Sequence, residues 1–224
     1  MPRGFFVTLE GSEGCGKSTQ AALLVERLRG EGRVVRPLRE PGGTPLGEEI
    51  RQTVKHSAAG RGMTAEAELL LMNAARAQLV REVIRPALAA GEVVVCDRYL
   101  DSTVAYQGWG RELPLDRVRA VLDLAVGETV PDLTLLFQVP ATVASERRRK
   151  RETAGGTSSA TDRFEAESAG FFERVEAGFR AIASEDVGRV VTIDAAPGVE
   201  AVAEAVWRVV SGRLAGGTVM PRRV

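Results

Sequence analysis

Residues Gly11-Ser12-Glu13-Gly14-Cys15-Gly16-Lys17-Ser18 spell G-x-x-x-x-G-K-S directly after the apolar run Phe5-Phe6-Val7-Thr8-Leu9. Glycines in such a turn let successive backbone N–H groups face inward around a polyanion. A helix beginning at Lys17 adds its positive dipole end to the same spot. In this arrangement Lys17 reaches the β- and γ-phosphates of a nucleoside triphosphate, and the Ser18 hydroxyl ligates Mg2+. Thr19 follows in the first helical turn. Strand before, helix after and every position of the pattern filled imply a chain that binds a nucleoside triphosphate.

Three further clusters bear on a second substrate. In Arg39-Glu40-Pro41-Gly42-Gly43-Thr44 a tight Pro/Gly turn brings backbone close to a ligand, and Arg39 offers a fork to phosphate oxygens; alone, the cluster reads equally as a turn with a surface arginine. In Asp97 to Gln107, Asp97 closes a strand beside the loop, where a carboxylate orients Mg2+ or its water. Arg98 offers charge to a second phosphate, and Tyr106 and Gln107 offer a ring edge and an amide to a sugar or base. The bland alternative for Asp97 and Arg98 is a strand-end ion pair. The third cluster is a long apolar helix pattern after Thr64 that carries Met72 and Arg76 on one face. A buried arginine needs a partner. A base carbonyl, a phosphate or an internal carboxylate such as Glu68 would each serve.

The elements that must position these residues alternate. Strand candidates are Phe5–Leu9, Arg33–Leu38, Val93–Cys96, Leu133–Val139 and Arg189–Ile193, with helical patterns near 17–29, 45–56, 65–90, 115–126, 141–151, 163–183 and 199–213. The strands are continuous apolar runs, as buried parallel strands are, so an α/β fold with helices on both faces is expected. Ligands then bind beyond the carboxyl ends of the strands. Polar residues stand there in three cases: Glu10 to Ser18, Arg39-Glu40 and Asp97-Arg98.

The 224 residues suit one buried core, and 44% hydrophobic with 5% aromatic residues suits an α/β protein rich in Ala, Leu and Val. Thirty basic residues balance thirty acidic ones, which argues against a nucleic-acid partner and makes any anion recognition local. Cys15 and Cys96 suggest no disulfide framework, and no apolar stretch approaches the roughly 20 residues that span a bilayer. A cytoplasmic protein without membrane contact is expected. One domain over residues 1–214 is expected, with a lid near 147–163 whose tip, 153–161, is small and polar, and a disordered tail over 215–224.

The phosphate-binding loop, Arg39–Thr44, Ala74-Ala75-Arg76 and Asp97–Gln107, in this order and spacing, resemble bacterial thymidylate kinases, and the likeness runs from about Phe5 to about Asp194. The resemblance implies a P-loop nucleoside monophosphate kinase fold with a five-stranded parallel sheet, a homodimer, and transfer of the γ-phosphate of ATP, with Mg2+, to dTMP. Position by position, Arg39 and Arg98 match residues holding the acceptor phosphate, and Arg76 matches the arginine on the thymine carbonyl. Ser102 or Thr103, with Gln107, match residues near the base, Tyr106 the ring crowding the sugar 2′ position, and Glu13 the acid at the sugar hydroxyl. Met72 stands where the family stacks a Phe on thymine, so the base has a thioether floor of smaller area.

The loop carries no arginine, so the charge on the phosphoryl group in flight must come from elsewhere. The run Arg147-Arg148-Arg149-Lys150-Arg151 leads into the small-residue tip. In the resembling family such lids supply that charge; Arg147, Arg149 and Arg151 match it, and Arg163 matches the lid's far end. By itself a basic run reads as a solvated helix face. Other acceptors, a GTP-driven switch and a nucleotide-binding subunit or motor are the rival readings. The switch lacks an N-K-x-D segment, and neutral charge and short length disfavour the motor.

Overall fold

The computed structural model describes residues 3–60, 62–140, 142–144, 146–147, 163–164 and 166–216. Five strands, β1 (Phe5–Glu10), β2 (Val35–Arg39), β3 (Val93–Asp97), β4 (Leu133–Gln138) and β5 (Val190–Asp194), form one sheet of order β2-β3-β1-β4-β5. All pairs are parallel, with Leu9 opposite Asp97 and Leu135. The chain leaves β1 toward β2 on one side, and β4 toward β5 on the other. These diverging connections open a crevice at the carboxyl end of β1, where the phosphate-binding loop sits. The α/β fold with helices on both faces is therefore observed.

Alternation along the strands assigns the faces. Val7, Leu9, Val95, Leu133, Leu135, Phe137 and Ile193 pack under α1 (Lys17–Gly30) and the last helix, α7 (Val199–Ala215). The opposite face is covered by α2 (Pro45–Lys55), α3 (65–89), α4 (100–110), α5 (Leu115–Val126) and α6 (Ala169–Glu185), whose apolar residues close on Leu136 and Val190. On this same face Phe6, Val94 and Cys96 meet α3 residues Leu79, Val80 and Ile84.

Three helical expectations change. The pattern over 65–90 is one rod, α3, made of Ala65–Leu79, a wider turn over Val80–Ile84, and Arg85–Ala89. Arg85 N–H bonds back to the Val80 carbonyl, one residue further than an α-helix allows. Pro86 is the reason: it has no N–H and its ring crowds the turn before it, so the helix widens there instead of breaking. Leu70 on this rod is 58% exposed. The helix expected from 163 starts only at Ala169, where the Ser168 hydroxyl accepts from Phe171 N–H (3.2 Å) and caps it. Residues 100–110, a binding segment with no helical pattern in the sequence, form α4, Leu100–Thr103 continuing through a wide-turned Val104–Gly110. Most of the 141–151 helical pattern, the 153–161 tip and residues 217–224 of the expected tail lie outside the described residues.

A buried polar strut crosses the sheet. Arg189 donates to both Asp101 oxygens (2.6 and 2.9 Å) and to the Thr134 hydroxyl (2.7 Å), and Thr134 contacts Thr8 (2.8 Å). Asp101 is only 3% exposed, so removing its partner leaves a buried charge uncompensated. Arg189→Ala is expected to lower stability by roughly 3–5 kcal/mol, read as a shift in the urea midpoint without a change in slope.

Candidate active site

Three glycines of the loop take positive φ: Gly11 (139°), Gly14 (82°) and Gly16 (93°). At Gly11 a Cβ would stand 2.5 Å from the Phe137 carbonyl, so the loop can pass β4 only with glycine there. Gly16 is the N-cap of α1, whose first turn carries no acidic residue to compete with a bound anion. Lys17 is buried and its ammonium donates to the Gly11 and Ser12 carbonyls (3.0 and 2.8 Å) and to Cys15 Sγ (3.4 Å). Ser18 Oγ donates to Asp97 Oδ2 across the β1–β3 gap (2.6 Å), and Thr19 is exposed beside it. Two hard oxygens at hydrogen-bond distance fit Mg2+, which needs one or two protein oxygens when phosphates and water complete its octahedron.

Arg98 joins this loop to a second pocket. It takes φ 70°, unusual for a residue with a side chain, and its N–H is tied to the Leu9 carbonyl (3.0 Å). From there its guanidinium donates to the Gly11 carbonyl (3.0 Å), Ser102 Oγ (3.1 Å), Glu13 Oε1 (2.7 Å) and the Tyr106 hydroxyl (3.2 Å), and it lies 5.0 Å from the Tyr106 ring centre. Burial works against its charge, but Tyr106, Glu13, Asp97 and Glu10 outweigh that and hold its pKa well above the ordinary value. Tyr106 is itself fixed edge-on by Phe164, Phe171 and Phe179.

The pocket beyond Arg98 is lined by Met72, Arg76, Ser102, Thr103, Tyr106 and Gln107, all expected from sequence. Lys55, from the end of α2, and Phe164 line it too, and sequence alone gives neither a role. Neither has a motif around it that marks a pocket. Arg76 finds its partner in Glu40, not Glu68: Nε and Nη2 bond Glu40 Oε2 (2.8 and 2.7 Å). Its other N–H groups reach Asn73 Oδ1 (2.8 Å), Thr103 Oγ1 (2.9 Å) and the Tyr99 carbonyl (3.0 Å). All five donors thus have protein acceptors, and both members of the pair are under 5% exposed. Burial raises the Glu40 pKa, opposed by Arg76. The Ser102 hydroxyl is likewise spent, on Glu10 Oε2 (2.5 Å).

Arg39 forms a forked pair with Glu48 (3.1 Å on each arm), which also takes Gly43 N–H (2.8 Å). This pair is half exposed, so parting it costs about 1 kcal/mol or less. Arg147 does not turn to the loop; it donates to the Ala195, Ala196 and Pro197 carbonyls after β5 (2.8, 3.3 and 3.4 Å). Arg163 bonds the Val54 carbonyl (3.1 Å) and Glu68. Arg149 and Arg151 lie outside the described residues.

Glu10, fully buried under Arg98, accepts from Tyr99 N–H (2.8 Å), Ser102 N–H (3.2 Å) and Ser102 Oγ. Burial and then the neighbouring Asp101 push its pKa from 4.5 up to about 7, against the pull of Arg98 and these donors. The folded chain therefore holds this proton more tightly than the unfolded chain, and stability falls as pH rises through the window from 4.5 to about 7. Glu10→Gln removes that loss. Its stability relative to the parent should improve by on the order of 3 kcal/mol between pH 4.5 and pH 8. Urea unfolding at the two pH values measures this, and a gap independent of pH would refute it.

The thymidylate kinase family profile matches residues 9–206. A thymidylate kinase of Solidesulfovibrio magneticus is 51% identical over 205 residues, covering 92% of this chain and 98% of that one. One from a Synechococcus strain is 48% identical, covering 93% and 95%. The crystal structure of thymidylate kinase from Ehrlichia chaffeensis superimposes with a TM-score of 0.73 at 30% identity, over 94% of this chain and 99% of that one. The chain therefore belongs to the thymidylate kinase family.

Proposed function

We propose that the chain phosphorylates dTMP to the diphosphate with ATP, by direct in-line transfer, as a nucleoside monophosphate kinase of dTTP biosynthesis. The observation that carries this is the place of Arg98, which touches the phosphate-binding loop at Gly11 and Glu13 and the second pocket at Ser102 and Tyr106. A cation at that junction lies between two polyanions that must approach each other. An acceptor phosphate oxygen is already an anion, so attack on the γ-phosphorus needs alignment and charge neutralisation, with no protein base.

On this reading the loop, Gly11 to Thr19, holds ATP, and Lys17 exchanges its loop acceptors for the β- and γ-phosphates. Ser18 and Asp97 hold Mg2+, which when bound neutralises charge on those phosphates. Arg98 and Arg39 hold the acceptor phosphate, Arg39 by releasing Glu48. Met72 packs on the base. Thr103, whose oxygen already accepts from Arg76, keeps its hydroxyl hydrogen for a base carbonyl, so Arg76 acts there through Thr103. Tyr106 crowds the sugar 2′ position, and Glu13 contacts the sugar hydroxyl. The basic run of the lid, residues 147–163, supplies charge to the phosphoryl group in flight. Arg147 anchors the start of that run on the turn after β5, and Arg149 and Arg151 are the residues assigned this charge. Residues 1–214 act as one domain.

A homodimer is part of the proposal. Leu46 on α2 and Leu70 on α3 are 51% and 58% exposed on two helices packed together, an apolar surface suited to a second copy. Among the described residues no helix is long and apolar enough to cross a membrane. We take the setting to be cytoplasmic.

The experiment is ADP formation from MgATP with dTMP, dUMP, dCMP, dGMP and dAMP offered separately. Strong turnover with dTMP is expected, with Met72 an adequate floor for the base. Turnover confined to another acceptor would overturn the base assignment, and none with any acceptor would overturn the kinase.

A further inference from the structure

Glu68 of α3 is completely buried, yet no step of the reaction above uses it. Its carboxylate is a hub. Gln107 Nε2 donates to Oε1 (2.7 Å), Arg111 Nε donates to both oxygens (3.2 Å each) with Nη2 at 3.0 Å, and Arg163 Nη2 donates to Oε2. Arg111 is held in turn by Glu167 (2.6 Å). Two arginines therefore answer the charge of a carboxylate that would otherwise be costly to bury.

The chemical consequence falls on Gln107. An amide has a donating end and an accepting end of nearly equal shape, and its environment chooses between them. A carboxylate offers only acceptors. The Gln107 amide must therefore give its NH2 group to Glu68, because the flipped amide would set a carbonyl oxygen against a buried anion. Its own carbonyl oxygen is left over. Gln107 lines the acceptor pocket, and its Oε1 takes no hydrogen bond from any described residue.

We propose that Glu68 is a positioning residue that locks the Gln107 side chain as a hydrogen-bond acceptor in the base pocket. The site thereby selects a pyrimidine whose ring nitrogen carries a hydrogen, the imide of thymine or uracil, and rejects one whose ring nitrogen is an acceptor, as in cytosine. The inference rests on the dTMP reading and adds the device that reads the base. It also gives Arg163 a second purpose. That residue's bond to Glu68 joins it to the group that orients Gln107.

The test compares kcat/KM for dTMP and 5-methyl-dCMP, which share the 5-methyl group and differ at the ring nitrogen and the exocyclic position. In Glu68→Gln the single oxygen of the new amide is claimed by Arg111 and Arg163, the stronger donors, and its NH2 turns toward Gln107. Gln107 then flips and presents a donor to the pocket. The dTMP preference is expected to fall by roughly tenfold or more, with thermal unfolding confirming a folded variant. A uniform loss for both acceptors, with the ratio intact, is what a merely structural role would give and would overturn the proposal. Should that variant not fold, Gln107→Met, of similar size and with only a weakly accepting thioether, must lower the same ratio; an unchanged ratio there overturns it equally. If the unaltered protein phosphorylates no acceptor, the function above fails. Calorimetric binding of the two nucleotides to that protein and to the variants then reads the same ratio and decides this inference separately.

Discussion

On the proposed reading one guanidinium stands between two anion sites and must be kept charged and kept aimed, and the surroundings of Arg98 do both. Its left-handed backbone, fixed by the bond from its N–H to Leu9, turns the side chain back over the loop instead of along the strand axis. Glu13 and the Gly11 carbonyl hold one side, and Ser102 and Tyr106 the other. Glu10 lies underneath and fixes the backbone of Tyr99 and Ser102 that frames it. Rigid placement matters because the gain from neutralising a transition state is lost if the cation must first be reoriented.

The same device recurs at different depths. Arg39, Arg76, Arg98, Arg111 and Arg163 are each paired with a carboxylate, and exposure decides whether the pair can part. Arg39 and Glu48 are 51% and 41% exposed, so a phosphate can take the arginine at small cost. Arg76 and Glu40, at 3% and 4%, form a fixed wall. The Glu68 hub with Arg111 and Arg163 lies between these extremes, since the acid is buried and the arginines are at the margin. A chain with no net charge thereby keeps strong local cations without a global field.

Much of this was legible in the sequence, for physical reasons. The loop pattern works only between a strand and a helix, so its placement fixed β1 and α1 together. The apolar runs gave all five strands to within about two residues, because buried parallel strands have no alternation to confuse. The pocket residues Met72, Arg76, Thr103, Tyr106 and Gln107 converge as expected. What could not be read was pairing. The carboxylate offered to Arg76 was Glu68, and it is the packing of α3 near the turn after β2 that gives it Glu40 instead. The helix over 100–110 was missed because its wide turns break the 3.6-residue period, and Lys55 and Phe164 enter the pocket from segments without any local signal.

The central claim is that Arg98 serves the acceptor rather than the donor. The most direct measurement is steady-state and binding analysis of Arg98→Lys, which keeps a positive charge and loses the fork. The account predicts a fall in kcat/KM for dTMP of roughly a hundredfold, with the dissociation constant for MgATP nearly unchanged. Equal losses for both nucleotides, or undiminished use of dTMP, would contradict it.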